Sequence, residues 1–245
     1  MCTVSWLPLE DGYTLCFNRD ERHSRAPALP PATRGDGEVR YLAPLDGEFG
    51  GTWLAANEFG ITFCLLNRYR VPGYAPPAQP VSRGLLVLEL AGMATARNAA
   101  AALEDRLLER VQPFSLVVLE PGQAVRVVAW DGQVLTGLTH RSPGLILTSS
   151  SVTEPEVGAA RRTVFAALER VTPEALAQLH RSHLPERGRC SVCMHREDAE
   201  TQSFSQVTVG PDRVTLLHVP DAPCRGKALP PLDLLRRSAP SPAPN

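Results

Sequence analysis

Short runs of alternating apolar and polar residues, each closed by a turn pair, constrain this chain's fold more than any other feature. CTVSWL and YTLCFN flank Asp11-Gly12, a pair suited to a tight hairpin. TWLAAN and ITFCLLN flank Glu58-Phe59-Gly60 and predict a second hairpin. FSLVVLE, AVRVVAW and QVLTGLT are split by Pro121-Gly122 and Asp131-Gly132, which predicts a meander, with GLILTSS as one more strand. RCSVCMH, SFSQVTV and RVTLLHV read as the closing strands. Such short links permit only antiparallel pairing. Two helical blocks interrupt the series. One spans residues 82 to 111, with Thr95 as an internal cap; the other covers 155 to 170 and 173 to 182, with Thr172 ahead of Pro173 at the first helical position. Strands, helices, strands, helices, strands predicts an α+β domain of stacked sheets with helices outside.

Residues 26 to 48 and 71 to 82 are rich in Pro and Gly and read as long loops near a substrate. One domain is expected over residues 1 to 227, followed by a Pro-rich, disordered tail at 228 to 245.

Composition closes several functional classes. The chain has 245 residues with 25 basic and 26 acidic side chains, so no strong field favours nucleic acid or an anionic membrane. Its start lacks a secretory signal and no later run reaches about 18 apolar residues, so a cytoplasmic protein with reduced thiols is expected. Lys227 is the single lysine, which excludes a Walker A loop and argues against Schiff-base chemistry. G-x-S-x-G and G-x-G-x-x-G are both absent.

Cys2 directly follows Met1, and Asn18-Arg19-Asp20-Glu21 comes about one hairpin later. Removal of Met1 places a thiol and a free α-amine on one residue. The thiol, with a free pKa of about 8.5, is a few per cent thiolate at pH 7, and an amine of pKa about 7.7–8.0 can accept its proton. Arg19 is expected to favour the thiolate, its charge outweighing burial, and Asp20 to orient the amine. A solvated charged turn is the alternative for this cluster. Cys16 and Cys64 lie within apolar runs and read as core residues.

These residues resemble the NRDE family, through the initial M-C, the N-R-D-E at Asn18 to Glu21, and GGTWLAANEFG from Gly50. The same stretch, leading into Leu66-Asn67, is similar to choloylglycine hydrolases and penicillin acylases. SVCMHREDAETQSFS with the later PDAPC is similar to the C-terminal part of the acyl-CoA:6-aminopenicillanic-acid acyltransferases. All have the N-terminal nucleophile (Ntn) hydrolase fold. The resemblance implies a four-layer αββα sandwich of two mainly antiparallel sheets. It implies Cys2 as nucleophile, its amine as base, and Arg19 and Asp20 as the pair beside it. Asn67 matches an oxyanion donor, a role worth about 3–4 kcal/mol, for which a strand-end turn is the alternative. Asn18 is a further substrate or oxyanion candidate, and Arg189 matches an arginine near the last sheet. Ser149 stands where relatives commonly carry asparagine, so the donor there is shorter.

The expected function is an N-terminal cysteine amidohydrolase or acyltransferase acting on a small acyl substrate, an amide or a thioester, without a cofactor. The alternative is a non-catalytic carrier of haem or a lipid-like ligand, since the Golgi-organisation branch of the family is linked to haem and lipid metabolism. A zinc site from His180, His183, Cys190 and Cys193 is set aside, because residues three apart on a strand point to opposite faces.

Overall fold

The computed structural model describes residues 2–35, 37–140, 147–151 and 154–238. Met1, and with it the expected processing step, lies outside the described residues. The chain begins with the hairpin of β1 (Cys2–Leu9) and β2 (Gly12–Arg22). A Cβ on Gly12 would sit 1.9 Å from the Val209 carbonyl oxygen, so only glycine lets this turn pass so close to the neighbouring strand. Next come β3 (Leu29–Arg34), β4 (Tyr41–Leu45), β5 (Leu54–Asn57) and β6 (Thr62–Asn67). Helices α1 (Arg83–Ala91) and α2 (Ala96–Glu104) follow, and Thr95 caps α2 by accepting the Asn98 N–H at 3.0 Å.

The meander is β7 (Phe114–Leu119), β8 (Val125–Trp130) and β9 (Leu135–His140), and β10 (Leu147–Ser149) comes later in the chain. Helices α3 (Glu154–Ala166) and α4 (Pro173–Arg181) precede β11 (Ala199–Val209), β12 (Arg213–Val219) and β13 (Leu232–Leu235). Thr172 caps α4 ahead of Pro173, as read from the sequence.

The strands form two antiparallel sheets. One runs β10-β1-β2-β11-β12-β13, the other β3-β4-β5-β6-β7-β8-β9. Val4, Trp6, Leu15 and Phe17 of the first sheet pack on Leu54, Cys64, Leu66 and Val117 of the second. The outer face of the second sheet packs Phe63 and Leu116 against Leu86 and Leu90 of α1 and Ala99 of α2. The outer face of the first packs Cys16, Phe204 and Val219 on Leu176 of α4. Period-two alternation thus fills three apolar layers, and the α+β, αββα class read from the sequence holds.

Three local readings are corrected. Residues 26 to 48 are not all loop: β3 and β4 lie there, and β3 is an edge strand with a register shift between Leu29 and Ala32, where Pro30 and Pro31 cost no central ladder bond. RCSVCMH is irregular rather than a strand. The tail contributes β13, which pairs with β12 through Leu232 to Leu235. The N-R-D-E cluster forms the end of β2, where β11 pairs with it as far as Arg22. Among the described residues no helix is long and apolar enough to cross a membrane.

Candidate active site

The register of three strands assembles the centre. Cys2 lies opposite Arg19 on β2 and opposite Ser149 on β10. Partners directly opposite in an antiparallel sheet project to the same face, so all three belong to the face turned toward the second sheet. A pocket of about 500 Å³ opens here, lined by Cys2, Arg19, Asp20, Trp53, Asn67 and Arg83 among others. Its far wall depends on a close backbone approach. A Cβ on Gly51 would lie 2.6 Å from the Gly84 carbonyl carbon, and the Thr52 N–H donates to the Gly84 oxygen at 3.0 Å. The two glycines of this contact let the segment before β5 lie against the start of α1.

Cys2 is buried, and burial, the largest effect, pushes its thiol up to about 11. Arg19 pulls the other way and Asp20 pushes upward with the burial. The expectation that the Arg19 cation would win is therefore overturned. The reason is visible in its partners. Arg19 Nη2 donates to Asp46 Oδ2 at 2.8 Å, and the guanidinium lies 4.5 Å from the Trp53 ring centroid. Asp46 also accepts from Arg25 Nη2 at 2.7 Å and from the backbone N–H groups of Glu48 and Phe49. Burial raises the Asp46 carboxyl, but the Phe49 N–H and Arg25 outweigh it and hold the group below its ordinary value. Arg19 thus spends much of its field on a fixed carboxylate.

Asn18 and Asp20 alternate to the other face of β2. Asn18 Nδ2 donates to the carbonyls of His180 and Val192 at 2.9 Å each, tying the sheet to the end of α4 and the irregular segment after it. Asp20 Oδ1 accepts from Thr201 Oγ1 at 2.7 Å, and Arg161 Nη1 lies 3.5 Å from Asp20 Oδ2. The solvated-turn alternative is excluded for Asn18, Arg19 and Asp20, which are all buried.

Asn67, at the end of β6, is half-buried at the pocket rim, and its Nδ2 donates to Tyr69 Oη at 3.1 Å. An amide carries two N–H donors, so this bond leaves the second for a ligand. Ser149 is buried with no hydrogen-bond partner for its Oγ, an arrangement that normally costs about 1–3 kcal/mol. The Arg189 side chain is not brought to this centre. It is exposed and pairs with Glu156 at 2.9 Å.

Sequence reasoning missed Arg161. Its fully buried guanidinium, on α3, donates to Thr3 Oγ1, faces Asp20, and reaches the Cys190 and Arg189 carbonyls at 3.4 Å. Burial lowers its pKa while Asp20 opposes the shift. The signal was present in helical spacing: Arg161 shares one stripe with Val157 and Gly158, the other buried residues of α3.

The architecture is that of the Ntn hydrolases. It is similar to the structure of an alanine variant of conjugated bile acid hydrolase from Clostridium perfringens, with a TM-score of 0.55 and 12% identity over 94% of this chain and 92% of that one. An N-acylethanolamine-hydrolyzing acid amidase ortholog from Caenorhabditis elegans gives 0.59 and 10% over 84% and 92%. Penicillin V acylase from Agrobacterium tumefaciens gives 0.54 and 13% over 90% and 83%. At these identities the likeness establishes the fold. The chain belongs to the Transport and Golgi organisation 2 family, whose model matches residues 1–180.

Proposed function

We propose that this chain is an N-terminal cysteine amidohydrolase or acyltransferase that acts on a small N-acyl amide or a thioester. The carrying observation is the three-strand row of Ser149, Cys2 and Arg19, of which Cys2 and Arg19 line the pocket. With Met1 removed, the Cys2 amine is the base. A resting thiolate is disfavoured, because burial raises the thiol. Ionisation therefore accompanies attack. The amine takes the thiol proton as sulfur bonds to the acyl carbon.

The oxyanion of the tetrahedral intermediate is held by Asn67 Nδ2 and by the orphan hydroxyl of Ser149. As the C–N bond breaks, the ammonium returns its proton to the departing nitrogen, leaving a thioester on Cys2. Water or an acceptor amine then attacks the thioester, gives a proton to the Cys2 amine, and releases the thiol. No cofactor enters this sequence. Asp20 stands close enough to influence Cys2 electrostatically and is anchored by Thr201 and Arg161, so it orients the amine. Trp53 and Phe49 offer apolar wall to an acyl group.

The test is steady-state turnover of a panel of N-acyl amides and acyl thioesters by protein confirmed to start at Cys2. Activity should rise with pH as the amine loses its proton, and disappear in Cys2→Ala. A carrier would instead bind hemin stoichiometrically, with a shifted Soret band, and leave every acyl substrate intact. Among the described residues no histidine lines the pocket, so haem there would need Cys2, Met194 or Tyr69 as its axial ligand. Loss of the Soret shift in Cys2→Ala or Met194→Leu would identify that ligand.

A further inference from the structure

The segment between α4 and β11 contains no helix and no strand, yet it lies behind the candidate active site. Scattered bonds hold its backbone, among them the Cys193 N–H to the Ser182 carbonyl at 3.0 Å and the His195 N–H to that of Gly188 at 3.3 Å. A second set of contacts clusters at one point. One ligand-capable atom from each of His183, Cys193, His195 and Cys224 lies within 4.8 Å of the others. His195 Nε2 is 3.6 Å from the Cys193 sulfur and 3.4 Å from the Cys224 sulfur. The His183 and His195 rings meet edge to face with centroids 5.1 Å apart.

We propose that these four residues form a structural zinc site. Zn–S bonds of about 2.3 Å and Zn–N bonds of about 2.0–2.1 Å put the corners of a tetrahedron about 3.3–3.8 Å apart, with S–N edges near 3.6 Å. The two sulfur–nitrogen separations therefore already match the edges of such a tetrahedron. Two further observations point the same way. His183 Nε2 is buried with no hydrogen-bond partner. His195 has its Nδ1 3.2 Å from Glu200 Oε2, and Glu200 is gripped by Arg225 at 2.7 Å. A carboxylate on the far nitrogen fixes the ring and aims the near nitrogen at a metal. Two thiolates and two imidazoles select zinc over harder cations, and four protein ligands leave no open position for catalysis. Binding displaces one proton from each thiol.

Strand geometry was the reason to set zinc aside, and that reason disappears because Cys193 is not on a strand. The partners differ as well. His180 faces Ser5 Oγ at 2.8 Å and Cys190 stays outside the cluster, while His195 and Cys224 enter it. The ion would bind the end of α4, the irregular segment and the turn after β12 into one unit. That unit carries Met194 and Arg196 into the pocket wall, and Met194 N–H donates to Thr201 Oγ1, the group bonded to Asp20.

Metal analysis of the full chain, purified under reducing conditions, should find about one zinc per chain. Stripped, reduced protein titrated with Co²⁺ should develop thiolate charge-transfer and tetrahedral d–d bands that saturate at one equivalent and bleach on adding zinc. Cys224→Ser changes an exposed residue and should keep the fold while weakening zinc by at least ~100-fold; Glu200→Gln should weaken it by about 10–100-fold. Cys190→Ser should still bind one equivalent. Absence of zinc with no cobalt bands in the reduced, folded wild type would overturn the site. So would unchanged zinc binding in both Cys224→Ser and His183→Asn, or a Cys193–Cys224 disulfide in protein that takes up no metal once reduced.

Discussion

The two faces of the β1–β2 hairpin do different work. Cys2 and Arg19 turn toward the second sheet and the pocket, whereas Thr3 and Asn18 turn toward the α3–α4 layer, and Asp20, anchored there by Thr201, also reaches the pocket edge. The split follows from a side-chain period of two, so one contiguous motif supplies both a reactive surface and its anchorage. On the pocket face polar groups are left with spare capacity: the Ser149 hydroxyl has no partner and the Asn67 amide uses one donor on Tyr69. On the rear face, the Asn18 amide donates to two carbonyls and Arg161 to Thr3 and Asp20, although Asn18 Oδ1 and His180 Nδ1 have no partner. Substitutions in front should therefore cost activity, and substitutions behind should cost stability.

Cys2→Ala should break the pocket face most severely, lowering kcat by about a thousandfold or more while leaving thermal unfolding nearly unchanged. Arg161→Met is its counterpart behind. It removes a buried cation facing Asp20 and the donor to Thr3, and should destabilise the fold by about 3–5 kcal/mol in denaturant titration. Asn18→Ala strips donors from two buried carbonyls and should cost about 2–3 kcal/mol. If Arg161→Met instead unfolds like wild type and merely loses activity, the division between the faces is wrong.

Most of the fold was legible because alternation and turn pairs mark strands locally. Capping threonines 95 and 172 marked the helix starts for the same reason. What escaped was set by distant contacts. β3 is held by pairing to β4 despite two prolines, and β13 by pairing to β12. The site was half legible. Cys2, Arg19 and Asp20 stand out as a motif, but motif reading cannot tell which face each occupies or that Asp46 claims Arg19. Arg161 required asking what a charged residue does on an apolar helical stripe.

Two buried histidines, His180 behind the hairpin and His218 on the face turned toward the second sheet, add a pH dependence. Burial pushes His180 down to about 3 and His218 down to about 4. Both are neutral in the folded chain while an unfolded histidine charges below about 6.5, so the unfolded state binds more protons in acid. Their contribution is full above pH 6.5 and is lost as pH falls toward the folded values, by up to about 1.4 kcal/mol per pH unit for each. Urea midpoints measured from pH 7 to 4.5 should fall steeply, and less so in His180→Gln.

Smaller effects sharpen the pocket face. Ser149→Ala should lower kcat about tenfold with KM nearly unchanged, because the hydroxyl is engaged only in the transition state. Arg19→Ala should move the midpoint of pH-dependent Cys2 alkylation by less than about half a unit, since burial outweighs that charge.

The nucleophile itself is tested most directly by mass. Protein starting at Cys2 is incubated with an N-acyl amide or activated acyl ester, quenched in acid, weighed intact and mapped by peptide. The account predicts one acyl increment, confined to the N-terminal peptide, lost in Cys2→Ala and absent from protein that retains Met1. An increment on Cys190 or Cys224, or substrate turnover that persists without any adduct in Cys2→Ala, would contradict it.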